Sequence, residues 1–215
     1  MADYSDEEQV ERLQNWWQEN GTSVVLAVVL SVSGLLGWRY WQDSTQQQAE
    51  SASVRYQQLT EATQVPDSNI DADAVSELAS QLIGDYPGTA YADYARLMLA
   101  RLAVEEGDYS QAANRLTEVV EKPATSATGW TARMRLARVQ VHSGDVQAAN
   151  ETLSVSWPEA WHGQVFELQG DLAREQGDLV AARQAYNKAL AAMAEDGADH
   201  RELVQMKLDD LVPAS

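Results

Sequence analysis

Apolar positions recur at helical intervals from the start of the chain. In residues 3–19, reading DYSDEEQVERLQNWWQE, Val10, Leu13, Trp16 and Trp17 share one face with acids between them, which predicts an amphipathic helix. The pattern changes at Gly21. From Gly21 to Trp41 the chain reads GTSVVLAVVLSVSGLLGWRYW, with no charge before Arg39. At a helical rise of about 1.5 Å per residue, Gly21 to Trp38 covers roughly 27 Å, close to the hydrocarbon thickness of a bilayer. Val24, Val25, Leu26, Val28, Val29, Leu30, Val32, Leu35 and Leu36 each favour insertion by about 0.3–0.6 kcal/mol, before Ser23, Ser31 and Ser33 subtract from the sum. Trp16 and Trp17 flank one end and Trp38, Tyr40 and Trp41 the other, where indole and phenol rings favour the headgroup layer. A single membrane-spanning helix over 21–41 is predicted, preceded by the amphipathic segment 1–20. A buried core helix would need a surrounding core that the short acidic N-terminus does not supply. A cleavable signal peptide would begin basic and end at small residues, whereas here Trp38-Arg39-Tyr40-Trp41 follows the apolar run, so the segment reads as a retained signal anchor.

Residues 42–63 are polar, Gln-rich and free of Gly and Pro, and predict a helical stalk. Gln64 to Asn69 breaks it. Asp71 or Asp73 then caps a helix carrying Val75, Leu78, Ala79, Leu82 and Ile83, closed by Gly84-Asp85-Tyr86-Pro87-Gly88. Beyond this point the chain repeats itself. ARLMLARLAVEEGDYSQAANRL from Ala95 aligns with ARMRLARVQVHSGDVQAANETL from Ala132, 37 residues on, and VFELQGDLAREQGDLVAARQAY from Val165 places the same Gly-Asp a further 33 residues on. A period of about 34 residues with Gly-Asp at the turn and Ala five positions after the Gly is the tetratricopeptide pattern, two antiparallel helices per unit. Ala100, Ala137 and Gly170 are small where paired helices approach; Gly107, Gly144 and Gly177 suit a turn with positive φ; Asp108, Asp145 and Asp178 suit a helix cap. Ala112, Ala149 and Ala182 are small again, with Leu116, Leu153 and Tyr186 one turn further. Pro123 to Gly129 separates the first two units, and Ser156-Trp157-Pro158 shortens the second. Leu203, Met206, Leu208 and Leu211 predict a capping helix over 198–211, followed by a frayed tail. The expected architecture is all-α: one N-terminal transmembrane helix, then a tetratricopeptide-like α-solenoid over 71–212.

Charge narrows the partners. Of a net charge of −18, residues beyond 41 carry 27 acids against 13 bases, a surface that repels nucleic acid and anionic headgroups. Only Arg12 precedes the anchor closely while Arg39 and Arg55 follow it, so the positive-inside count leans weakly toward a cytoplasmic C-terminal domain. With no cysteine, disulfides and thiolate chemistry are excluded. His142, His162 and His200 stand apart from any metal-ligand spacing, the acid pairs Glu105-Glu106, Glu195-Asp196 and Asp209-Asp210 fall at turns or on polar faces, and neither a phosphate-binding glycine loop nor a nucleophile elbow is present. Neither enzyme activity nor a cofactor is expected; a pocket joining a histidine to two carboxylates would revive a hydrolase.

The expected working surface is the groove lined by the first helix of each unit: Leu97, Arg101 and Val104; Met134, Arg138, Val141 and His142; then Glu167, Asp171 and Glu175. Two roles are open for its arginines. Arg138 pairs with Asp171 or Glu175 and stabilises the stack, or Arg101 and Arg138 hold acidic or C-terminal carboxylate groups of a bound segment. On the anchor, Ala27, Ser31 and Gly34 form a small-residue stripe suited to close helix packing.

The GWRYW anchor end, the Gln- and Ser-rich segment after it, Leu136-Ala137-Arg138-Val139-Gln140-Val141 and the closing Met206-Lys207-Leu208-Asp209-Asp210-Leu211 together resemble the YfgM-type ancillary subunits of the bacterial SecYEG translocon, over essentially the whole chain. The resemblance implies a single-pass type II protein of the cell inner membrane, with the repeat domain in the periplasm. It further implies an adaptor that links the translocon to periplasmic chaperones, notably the membrane-anchored PpiD, and helps hand over unfolded secretory clients. The chain has fewer basic residues before its anchor than that pattern usually carries. A cytoplasm-facing regulatory module using the same groove is the alternative that the charge count permits.

Overall fold

The computed structural model describes residues 6–63, 71–193 and 198–211, and every regular element among them is helical. The chain divides into two compact units, residues 1–51 and 52–215, described in turn.

The first unit is helical from Asp6 and belongs to α1 (Asp6–Thr63). Its apolar run satisfies every backbone group within the helix and turns its side chains outward: Leu26, Leu35 and Leu36 are exposed, and Leu30 is 71% exposed. The core helix of a water-soluble domain hides such a face. This helix is long and apolar enough to cross a membrane once. The Ser31 hydroxyl is satisfied within the helix, its Oγ donating to the Ala27 carbonyl at 2.7 Å. Trp38 and Trp41 stack at one border with ring centroids 5.4 Å apart.

In the second unit, the end of α1 shares an apolar cluster with α2 (Ala72–Asp85) and α3 (Ala90–Glu105): Ala52 and Leu59 are fully buried with Val75, Ala79, Leu82, Ala95 and Leu99. Ala52, Tyr56 and Leu59 fall four and three residues apart, hence on one face. The segment 42–63, expected as a stalk, is therefore divided. Its part from Ala52 on is half of an additional helix pair that precedes the three repeats visible in the sequence. Those repeats are α3 with α4 (Tyr109–Glu121), α5 (Ser126–His142) with α6 (Val146–Leu153), and α7 (His162–Glu175) with α8 (Leu179–Ala192). A 3-10 turn, Glu159–Trp161, precedes α7, and α9 (Ala198–Asp209) closes the array. The expected break from Gln64 to Asn69, the acid pair Glu195-Asp196, the last residue of the expected repeat domain and the tail lie outside the described residues.

Each repeat turns in the same way. Gly107, Gly144 and Gly177 have φ of 80°, 77° and 78°, a left-handed conformation open to glycine at no steric cost. The amides of Asp108, Asp145 and Asp178 reach back five residues to carbonyls of the preceding helix, while each glycine amide reaches back three, which makes a Schellman turn. The same aspartates then accept from the amides of Gln111, Ala148 and Ala181 at 2.8, 3.1 and 2.9 Å and cap the next helix. One glycine and one aspartate thus end one helix and begin another. The first interrepeat loop is shorter than Pro123 to Gly129: α5 starts at Ser126, because Thr125 and Thr128 form a capping box that draws Gly129 into the helix.

Packing follows the small positions. In the third repeat Gly170 lies against Tyr186, and a Cβ at residue 170 would stand 2.5 Å from the ring. The fully buried Tyr186 and Leu116 each contribute about 1.5–3 kcal/mol of burial. Polar bonds tie successive repeats together. Asp93, 1% exposed, accepts from the Thr128 hydroxyl and the Ala124 amide, both at 2.7 Å on Oδ2, and from Arg96 at 3.4 Å on Oδ1. This clasp joins α3 to the start of α5.

Candidate protein-binding groove

A groove of about 640 Å³ runs past α5 and α7, with the end of α3, the start of α4 and α9 contributing to its walls. Of the expected residues, Val104, Arg138, Val141, His142, Glu167, Asp171 and Glu175 line it. Leu97 and Met134 do not. Both are buried: Leu97 belongs to the apolar cluster with Leu116 and Leu136, and Met134 to the one with Leu153, Leu168 and Trp157. They sit four residues before Arg101 and Arg138, one turn along the helix on the side turned toward its neighbours. Leu97 still forms the floor of a smaller hollow of about 260 Å³, and Arg101 lies on the rim of that hollow rather than in the larger groove.

The arginine pairing expected across the stack is absent among the described residues. Arg138 donates to the Gln164 side chain at 3.1 Å. Asp171 is held from another direction: it accepts from the Tyr186 hydroxyl at 2.8 Å on Oδ1 and from Lys207 of α9 at 2.7 Å on Oδ2. Lys207 also reaches Glu167 Oε1 at 2.7 Å, and His200 Nε2 lies 2.8 Å from Glu167 Oε2. All four oxygens of these two carboxylates are therefore engaged. Burial, then the bond to Asp171, raises the Tyr186 phenol well above its ordinary value and keeps it a donor.

His200, Glu167 and Asp171 do meet in one pocket, the condition that would revive a hydrolase. The carboxylate oxygens are taken up by Lys207, Tyr186 and His200, and ionisation of the Tyr186 phenol beside them is suppressed. Among the described residues no three His, Cys, Asp or Glu side chains are placed so that they could hold a metal ion. His142 instead meets Tyr109, Nε2 to hydroxyl at 3.0 Å, and His162 meets the Trp157 carbonyl at 3.1 Å.

Sequence reasoning missed Lys207, Gln164, Tyr109 and Arg135. Lys207 carries no local signal, because its partners are 36 and 40 residues away and this clasp occurs once in the array. Arg135 had a usable signal: it stands three residues before Arg138, on the same helix face. On the anchor, Ala27, Ser31 and Gly34 are exposed, and a Cβ at Gly34 meets nothing within 4 Å in this chain.

Residues 14–213 match the tetratricopeptide repeat-like domain family. Proteins named ancillary SecYEG translocon subunit align along nearly their whole length. The one from Haemophilus influenzae is 30% identical over 206 residues, 96% of this chain and 97% of that protein. The one from Aggregatibacter actinomycetemcomitans is 29% identical over the same shares. The one from Escherichia coli K12 is 30% identical over 98% of this chain and 99% of that protein. With the outward apolar helix, the Gly-Asp turns and the closing helix all inside the aligned span, the chain belongs to the family of ancillary SecYEG translocon subunits.

Proposed function

We propose that this protein is a membrane-anchored adaptor that associates with the SecYEG translocon through the bilayer and presents its repeat domain in the periplasm. There it links the translocon to periplasmic chaperones, PpiD among them, and helps hand over translocated clients. The observation that carries this reading is the near-complete alignment, from before the anchor to α9, with proteins named for the translocon. The repeat groove supports a binding role rather than catalysis, since its most buried acids serve as structural acceptors. Recovery of both translocon and chaperone with the protein from native membranes in mild detergent is the expected result. Intact protein that brings down neither would overturn the proposal. In the same assay Gly34→Leu is expected to leave insertion unchanged and to weaken recovery of the translocon, because a leucine there blocks close approach of a partner helix. Unchanged recovery would leave the stripe Ala27, Ser31 and Gly34 as ordinary anchor composition.

The charge count across the anchor favours the opposite topology, in which the repeats form a cytoplasmic regulatory module. The absence of native cysteine makes a direct test available. With Ser126→Cys, at the exposed start of α5, a membrane-impermeant maleimide is expected to label intact cells. With Ser5→Cys, labelling is expected only after lysis. The reverse pattern would place the repeats in the cytoplasm.

A further inference from the structure

The two ends of the concave face treat their own charges differently. Around α7 the acids Glu167 and Asp171 are neutralised from within by Lys207, with His200 beside them. Around α3 and α5 nothing comparable happens. Arg101, Arg135 and Arg138 gather on the rim of the smaller hollow, whose floor is made by Leu97, Leu116 and Val139. Arg101 has an exposed partner in Glu105 at 2.8 Å, Arg138 has only the neutral Gln164, and Arg135 has no acid at ion-pair distance among the described residues. Partial burial, then the charges of Arg138 and Arg101, lower the Arg135 pKa from its ordinary value, so both neighbours oppose the charge of Arg135 in the free protein. In a chain of net charge −18, three cations with a single exposed acidic partner over an apolar floor are the exception on the surface.

We infer that this hollow is a docking subsite for an acidic, apolar partner segment: side-chain carboxylates engage Arg101, Arg135 and Arg138 while a neighbouring aliphatic or aromatic side chain enters the floor. Arg101 and Arg138 occupy equivalent positions of successive repeats, 37 residues apart, with Arg135 three residues before Arg138 on the same helix face. Cations spread in this way match carboxylates repeated along a segment better than one terminal carboxylate. A planar guanidinium suits bidentate carboxylate recognition, and bringing an anion beside Arg135 relieves the repulsion from its two neighbours as well. The inference rests on the adaptor reading of the groove and specifies the chemistry of what it binds.

The test uses full-length protein in nanodiscs and fluorescein-labelled, C-terminally amidated octapeptides: alternating Glu and Leu, the Gln-Leu analogue and the Glu-Ser analogue. The Glu-Leu peptide is expected to bind about tenfold more tightly than either analogue at low salt, with the advantage over Gln-Leu shrinking as salt rises. Arg135→Gln and Arg138→Gln are expected each to remove most of that advantage, whereas Glu77→Gln, exposed on α2 and in the lining of neither hollow, leaves it. Equal binding of the Glu-Leu and Gln-Leu peptides would overturn the inference, as would equal binding of Glu-Leu and Glu-Ser, and neither comparison depends on a variant folding. Recovery of the translocon with the unaltered chain judges the adaptor reading separately, so either idea can fail alone.

Discussion

Asp93→Ala is expected to lower the stability of the repeat unit by about 2–4 kcal/mol, the largest loss we anticipate from one polar substitution in this chain. The carboxylate is buried, and its Oδ2 takes two short bonds, from the Thr128 hydroxyl and the Ala124 amide. Alanine takes the acceptor from the part-buried Ala124 amide and leaves the buried Thr128 hydroxyl only the Thr125 carbonyl at 2.9 Å. It also loosens the start of α5, since Thr128 belongs to the capping box. Asparagine offers a sharper comparison. Both short bonds converge on one oxygen, so an amide carbonyl can occupy that position and keep them, and only the longer contact from Arg96 is lost. Asp93→Asn should therefore cost about 1 kcal/mol. Chemical unfolding of the full-length chain, followed by circular dichroism, reads both values. Equal losses for the two variants would mean that the charge, not the acceptor at Oδ2, holds the clasp.

The second large effect is steric. Gly170→Ala places a methyl 2.5 Å from two carbons of the Tyr186 ring, which is fully buried and tethered through its hydroxyl to Asp171. The ring cannot swing aside without breaking that bond, and a loss of about 1–3 kcal/mol is expected from overpacking. The other repeats already show the compatible pairing. Ala100 is matched by Leu116 one helix on and Ala137 by Leu153, whereas the third repeat combines Gly170 with Tyr186. A double variant, Gly170→Ala with Tyr186→Leu, restores the combination used twice elsewhere. Its cost should fall below the sum of the two single costs by about 1 kcal/mol or more, the range of coupling for side chains in contact. Additive costs would show that the close approach at Gly170 is not what restricts that position.

These two positions also show where sequence reading stops. The turns were legible because all their parts are local: a glycine that reaches positive φ and an aspartate that caps lie side by side, three times over. The anchor was legible because an uncharged run of that length has few alternatives. Small residues at 100, 137 and 170 announced close helix contacts, and the tight approach of Gly170 to Tyr186 agrees with this. The groove was legible only in part. Counting back from the turn found the correct helix faces, but could not separate a residue on the rim from one a turn deeper, and so placed Leu97 and Met134 with Arg101 and Arg138. Partners of charged residues were out of reach. Nothing periodic relates Asp93 to Thr128 or Glu167 to Lys207, because each pair occurs once in the array. Arg138, expected to pair with Asp171 or Glu175, meets neither, and Asp171 is held by Lys207 of α9 instead.

The reach of these clasps bears on how the chain acquires its structure during synthesis. Asp93 waits for Ala124 and Thr128, 31 and 35 residues later; Glu167 and Asp171 wait for Lys207, 40 and 36 residues later. Each distance is close to one repeat. A helix pair can collapse as soon as it emerges, through its own local turn, while its buried acid is completed only when the next element arrives. Folding is then vectorial at these two points: the second repeat consolidates the first, and the final repeat is secured by α9 rather than by a further repeat. A chain truncated just before residue 207 is expected to hold an array whose earlier units resist protease while α7 and α8 remain cleavable.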